Sequence, residues 1–460
     1  PESIEALSLK GEIRRMKKDL EGAVAQFDKA VKVNERHIIA RLGRAATLID
    51  LGRLEEANKD LDVIFRRSPR HPMASFLRAM ALARDKKFAE AQESLQQTGA
   101  ALDDYMPSVF LRGSINYVLK QDEQAVANLE RYVEEVPTDA RARKLLGATL
   151  VRKRESERAI QVLQPLATDD TKDAQLLTLL GSAYMQAGKL NEGSSYFDRA
   201  SKVAPDVASI RMQQALGNLA QGQSDEAVGQ LESALDIDPE ARQASILLAL
   251  VKLRKGDFDG ALASARKLQT QMPDNPLADN LVGAAQLGKG DVAAARTTFA
   301  TALEKHPDFH PARMNLAQLD MREKKVDAAV AHYNAILEKD PKHLSAMLAM
   351  ANVALQRRKP DEAVSWLKRA GEANPESLTP GLRLIEYYGR TRELERALAV
   401  AHDLSNAHPD NVGALEALAR VQMASNDPVA AEATYRRIAS MAPDSAPALL
   451  NLARAQVAKD

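Results

Sequence analysis

A period of 34 residues runs through this chain without an insertion or deletion, and it limits the fold more than any other feature. Counted from Ile4, the units begin at Ile4, Ile38, Pro72, Met106, Ala140, Ala174, Ala208, Arg242, Pro276, His310, Leu344, Leu378, Val412 and Ala446. Position 20 then reads Ala in twelve of thirteen units, with Gly193 as the exception, and position 32 reads Pro in ten. Position 8 is Gly or Ala in twelve, with Ile385 standing alone. Self-similarity at a fixed period marks a solenoid, in which each unit buries its apolar face only against its neighbours.

The slots predict two helices per unit. Positions 4, 7, 8 and 11, as in Leu177, Leu180, Gly181 and Tyr184, make an i, i+3, i+4, i+7 stripe. Positions 20, 24 and 27, as in Ala295, Phe299 and Ala302, make a second stripe. Between them, position 15 carries Gly52, Gly188, Gly222, Gly256, Gly290 or Asn426, residues that accept the left-handed conformation ending a helix. Small residues at positions 8 and 20 let the paired helices approach closely. Proline at position 32 stops the second helix. Nearly every other proline falls at a helix start, Pro360 and Pro428 among them; Pro165 alone lies inside an expected helix body.

A helix–turn–helix unit with this Gly/Ala, Ala, aromatic or Leu, Ala, Pro pattern resembles the tetratricopeptide repeat, TPR, over residues 4 to 460. The departures are local. Trp is absent from position 4, and Glu35, Asp103 and Thr171 replace the proline. The resemblance implies an all-α, right-handed solenoid of about thirteen and a half gapless units, first helices lining the concave side. Two imperfect joints are expected, near 98–107 (Gly99, Asp103) and 164–173 (Pro165, Thr171). They divide an N-terminal section, 1–173, from a regular section, 174–460.

Charge and composition exclude several functions. Lys+Arg and Asp+Glu balance at 63 each, so no global basic field attracts nucleic acid or anionic lipid. Aromatics at 4% are too few for the stacking platforms of a single-strand binder. No apolar run is long enough to span a bilayer. The absence of cysteine removes thiolate metal sites and Cys nucleophiles. No P-loop, GxSxG, HExxH or strand-borne GxGxxG is present. His37, His71 and His343 at position 34, and His306 and His408 at position 31, fall in turns, where capping is the simplest role. Pro307 and Pro311 break any helix shared by His306 and His310. A non-enzyme with no cofactor or metal is therefore expected.

The residues that invite a ligand lie about 140° from the packing stripe of each first helix, at positions 2, 5, 9 and 12. Position 5 offers Phe76, Phe110, Met212, Ile246, Met314, Leu348 and Leu382, and position 12 offers Tyr117, Met185 and Met321. Met80 stands at position 9, where four later units carry Gln318, Asn352, Glu386 and Arg420. Two readings stay open: these side chains stack neighbouring repeats, or they form a groove for an apolar peptide or acyl chain. The polar four then either face solvent or hold the polar groups of an extended ligand. The matched Lys and Asn residues of the chaperone-tail carboxylate clamp are missing.

Runs such as HPDFHPARMNLAQLDMREKKVDAAVAHYNAIL and HPDNVGALEALARVQMASNDPVAAEATYRRIA are similar to the TPR-repeat lipoproteins of bacterial exosortase (PEP-CTERM) exopolysaccharide systems. That resemblance implies a scaffold on the periplasmic side of the cell envelope, lipid-anchored upstream of Pro1, with a protein partner in the groove. The alternatives are a cytoplasmic location, a carrier or chaperone for an apolar ligand, and the regulatory array of an enzyme whose catalytic domain lies outside the chain. The start at Pro1-Glu2 and the lone helix of the fourteenth unit, with Leu449, Leu450 and Leu452, lead us to expect a longer polypeptide.

Overall fold

The frame translates directly into helices. A computed structural model describes residues 3–443 and 445–459, so the expectations attached to Pro1 and Asp460 lie outside the described residues. The described residues form twenty-seven α-helices and two short 3-10 helices, with no strand. The fold is an all-α helical-repeat solenoid. First helices begin at position 1 of the frame, as in Ile38–Asp50, Ala174–Gln186 and His310–Arg322. One departs: in the unit starting at Leu378 the helix is Thr379–Arg390, one residue late. Pro72, Pro276, Pro360 and Pro428 each occupy a first helical position, where the missing N–H costs nothing.

Close approach explains the smallest slots. A Cβ placed on Gly181 would stand 2.6 Å from the Phe197 ring, and one on Gly283 would stand 2.5 Å from Phe299. The ring at position 24 thus lies against the backbone at position 8, and both rings are buried. Many first helices are also capped by a side chain of the preceding turn, though not those that follow Tyr105, Val207, Phe309 and Leu378. Asp173 accepts from the Leu176 N–H at 3.0 Å and Asn275 from Leu277 at 2.9 Å. The turn histidines do the same through Nδ1: His37 accepts from Ala40, His71 from Ala74 and His343 from Ala346.

Position 15 is left-handed in each of the thirteen units where it is described, and not only where Gly or Asn stands. Lys18, Lys86, Lys120, Arg154, Lys324, Arg358 and Arg392 all have φ between 54° and 62°. A left-handed non-glycine residue costs about 1–2 kcal/mol. A cation just past a helix C-terminus returns about 0.3–1 kcal/mol through the helix dipole. The charge offsets part of the strain, and long cations serve where glycine was expected.

Two second helices are cut short. Phe88–Gln96 gives way to a 3-10 turn at Gly99–Leu102, and Ser156–Leu163 gives way to another at Gln164–Leu166. Pro165 sits in the latter, lacking the N–H that would continue the α-helix. The shortened first helix leaves a cavity of about 340 Å³ between Gln92, Leu95, Gly99, Arg112 and Asn116.

The chain forms two compact units, Pro1–Ala244 and Ser245–Asp460. In the first, a run of buried residues from Val24 to Ile115 packs the early repeats together. There position 7, held by Leu146 and Leu180 in later repeats of the same unit, carries Arg44, Arg78 and Arg112. In the second unit the same slot holds Leu248, Val282, Leu316, Met350, Leu384 and Leu418, and successive clusters of Leu, Ala and Tyr fill the space between helices.

Candidate binding surface

Four consecutive first helices of the second unit, His310–Arg322, Leu344–Gln356, Thr379–Arg390 and Val412–Ala424, bring most of the polar and apolar candidates together. Met314, Gln318, Met321, Leu348 and Asn352 line one cavity of about 390 Å³. Leu382, Glu386 and Arg420 line a second, of about 480 Å³. Volumes of this size are typical of ligand pockets. The apolar members are half-buried, while Gln318, Asn352, Glu386 and Arg420 are exposed. That is the composition of a site with a greasy floor and a polar rim.

Two residues that sequence reasoning passed over shape this surface. Arg383 lines both cavities, and its Nη1 donates to Asn352 Oδ1 at 3.2 Å. Gly389 lies in the second cavity at position 12, where other units carry long side chains such as Met321, Leu355 and Met423. A Cβ on Gly389 would meet nothing within 4 Å, so packing does not require glycine there. Its singularity in the column was readable from sequence. Arg383 carried no such signal, because position 6 varies from Leu to Asn to Ala. Glu386 is bridged by Arg390 at 2.5 Å. Arg420 has no hydrogen bond or ion pair among the described residues.

The earlier candidates are placed differently. Phe76 is only 5% exposed and meets Tyr105 edge-on at 5.4 Å, with Met80 packed on the same core. Phe110 lies 5.0 Å from the Tyr132 ring, and Tyr117 lies under the Arg152 guanidinium at 4.3 Å. Met185 rests against Gly193 of the following helix. Met212 and Ile246 are half-buried, Ile246 against Ala249 and Leu281. These contacts hold neighbouring helices together.

The described residues contain no group of three or more His, Asp or Glu side chains close enough to hold a metal ion. His310 and His343 meet edge-on at 5.3 Å, and His343 Nδ1 is already occupied by its cap. No helix among the described residues is long and apolar enough to cross a membrane.

Comparison with known proteins agrees with this architecture. Models of the tetratricopeptide repeat match residues 42–105, 212–276, 283–343 and 382–458, with further matches at 174–207 and 321–384. No curated protein matches the chain. Among solved structures, yeast Tom70 is 16% identical, with 99% of this chain and 95% of that chain covered at a TM-score of 0.47. A chain of the APC/C hetero-tetramer Cut9-Hcn1 is 15% identical, with 82% and 95% covered at a TM-score of 0.39. Arrays of this repeat are in general modules for protein–protein interaction and typically non-catalytic. The chain belongs to the tetratricopeptide-repeat family.

Proposed function

We propose that this protein is a non-catalytic scaffold that holds an extended partner segment along the first helices of its second unit. The observation that carries the reading is the pair of cavities formed by the same repeat positions in consecutive units and joined at Arg383. Met314, Met321 and Leu348 give a floor for one apolar side chain, and Leu382 and Val421 give a floor for the next. Gln318 and Asn352 stand beside the first floor, where side-chain amides can satisfy the N–H and C=O groups of an extended backbone. The polar rim and open face favour a peptide over an acyl chain, which would need water excluded from all sides.

The resemblance of the repeats to exosortase-linked lipoproteins supports a setting in bacterial exopolysaccharide export or protein sorting, on the periplasmic side of the envelope. The array would present its second unit to a component of that machinery.

Capture of partners from the native host, followed by mass spectrometry, tests the groove directly. Met314→Asp with Leu348→Asp places two carboxylates in the apolar contact, at a cost of several kcal/mol if they are buried unpaired. We expect partner capture to be lost with helicity unchanged by circular dichroism. Unchanged capture by a folded double variant would rule out this face. Unfolding of the variant would assign both residues to repeat stacking instead.

A further inference from the structure

The two cavities differ in charge. The first is lined by neutral side chains except where Arg383 closes it. The second has Leu382, Ile385 and Val421 beneath two guanidinium groups, Arg383 and Arg420. Glu386 also lines it, but that carboxylate is bridged to Arg390. Arg383 bonds only to the neutral Asn352, and Arg420 to no described residue, not even Glu416 one turn earlier on its own helix. Some other arginines at first-helix ends are tied to acids, as Arg357 is to Asp327 and Arg152 to Asp122. Two guanidinium forks without carboxylates, set over an apolar floor, are complementary to an anion carried next to an apolar group.

Gly389 adds a second, independent observation. Alanine is the better helix former, and a Cβ would fit at this position without contact. The glycine therefore keeps the floor of the cavity open where neighbouring repeats fill it with Met or Leu.

We propose that this second cavity selects an acidic residue, Asp or Glu, within the partner segment, its carboxylate between Arg383 and Arg420 and an adjacent apolar side chain over Gly389. This rests on the groove reading above and gives it a sequence preference. An internal residue is favoured over a chain terminus because the surface continues past the cavity. The following first helix, Ala446–Lys459, carries Leu450 at the same repeat position as Leu382, so a bound segment has somewhere to run.

Fluorescence anisotropy on the full chain tests the preference. The probes are fluorescein-labelled hexapeptides, blocked at both ends, of sequence Leu-Ala-X-Leu-Ala-Leu with X as Glu, Gln or Lys. A fourth has X as Gln and a free C-terminal carboxylate. Charge-assisted hydrogen bonds predict about tenfold tighter binding of the Glu peptide than the Gln peptide, with Lys weakest. Arg383→Gln with Arg420→Gln should erase the difference between the Glu and Gln peptides. Gly389→Leu should weaken all the peptides at unchanged helicity. Equal binding of the Glu and Gln peptides would overturn this inference and leave the groove reading standing. Discrimination that survives the double substitution would also overturn it, as would tight binding of the free-carboxylate peptide alone. Binding of none would overturn the groove reading for apolar segments and this inference with it.

Discussion

Position 7 of the repeat shows one packing problem solved in opposite ways, by arginine in early repeats of the first unit and by apolar side chains throughout the second. In the first, Arg44 reaches into the interface and meets Asp60 through Nε at 2.7 Å and Nη2 at 2.6 Å, while its Nη1 meets Asp28 at 2.6 Å. Arg41 adds a further bond to Asp60, whose side chain is only 2% exposed. The bond to Asp60 is the largest of the influences that hold the Arg44 guanidinium well above its ordinary pKa. In the second unit, Leu316, Met350, Leu384 and Leu418 occupy the slot with no polar partner to satisfy. An apolar side chain tolerates small shifts of its neighbours. A buried ion pair holds only while its geometry holds, and fails steeply once a partner is lost.

That contrast can be broken by mutation. Asp60→Ala would take the shared acid from two half-buried guanidiniums, leaving Arg44 only Asp28, and should cost about 1–3 kcal/mol. Hydrogen exchange across Ile38–Asp50 would show the loss first. Replacing Arg41, Arg44 and Asp60 together with Leu makes the site resemble the second unit and should be neutral or stabilising. A triple variant as unstable as Asp60→Ala would mean the slots are not equivalent.

Both shortened helices also fall in the first unit. We propose that the array opens at these joints, since repeat arrays part at their weakest interfaces. Limited proteolysis should cut near 98–107 or 164–173 before any site between 208 and 440. Uniform hydrogen-exchange protection across both joints would refute this.

Acid should distinguish two caps. Burial first, and the neighbouring His310 second, hold the His343 imidazole below its ordinary value, with Asp340 opposing. The unfolded chain therefore takes up the proton more readily. The contribution of His343 is present above about pH 6.5 and is lost as pH falls through the lowered folded value. His343→Asn, which supplies the cap found at Asn275 and Asn411, should remove that loss. Asp173 in the first unit behaves otherwise. Burial pushes its carboxyl up, but Lys144 at 2.7 Å and the Leu176 N–H outweigh this and hold it low. Its contribution persists above about pH 4 and is lost as pH falls further. Thermal melts of His343→Asn and the parent at pH 7 and 5 check the first claim.

The smallest effect should come from position 15. Lys324→Gly relieves a left-handed lysine but loses a favourable charge and gains unfolded-state freedom. Chemical denaturation should show a change within about 0.5 kcal/mol. A larger loss would mean that the lysine does more than end a helix.

Much of this was legible in the sequence because it depends on single slots. Small residues at 8 and 20 and proline at 32 each act locally, so a column of letters reveals them. What depends on pairs was not legible. Arg44 reads as a solvated residue until Asp60, on the next helix, is brought beside it. The left-handed lysines and arginines were missed because their strain is offset in part by a helix terminus rather than by the residue itself. The groove candidates at Phe76, Phe110 and Tyr117 share repeat positions with Leu382 and Met321. Whether such a ring faces an opening or a neighbour is decided by the next helix.

The seating of Phe197 on Gly181, and of Phe299 on Gly283, works like a tooth in a gear. One extra residue in either helix would turn everything beyond it by about 100° and carry the glycine out from under the ring. Single-residue edits therefore cannot be absorbed by sliding, whereas the gain or loss of one whole unit leaves every tooth engaged. A gene for such a ladder is expected to change length by copying or deleting complete repeats, and the unbroken count from Ile4 to Ala446 is the record such a history would leave.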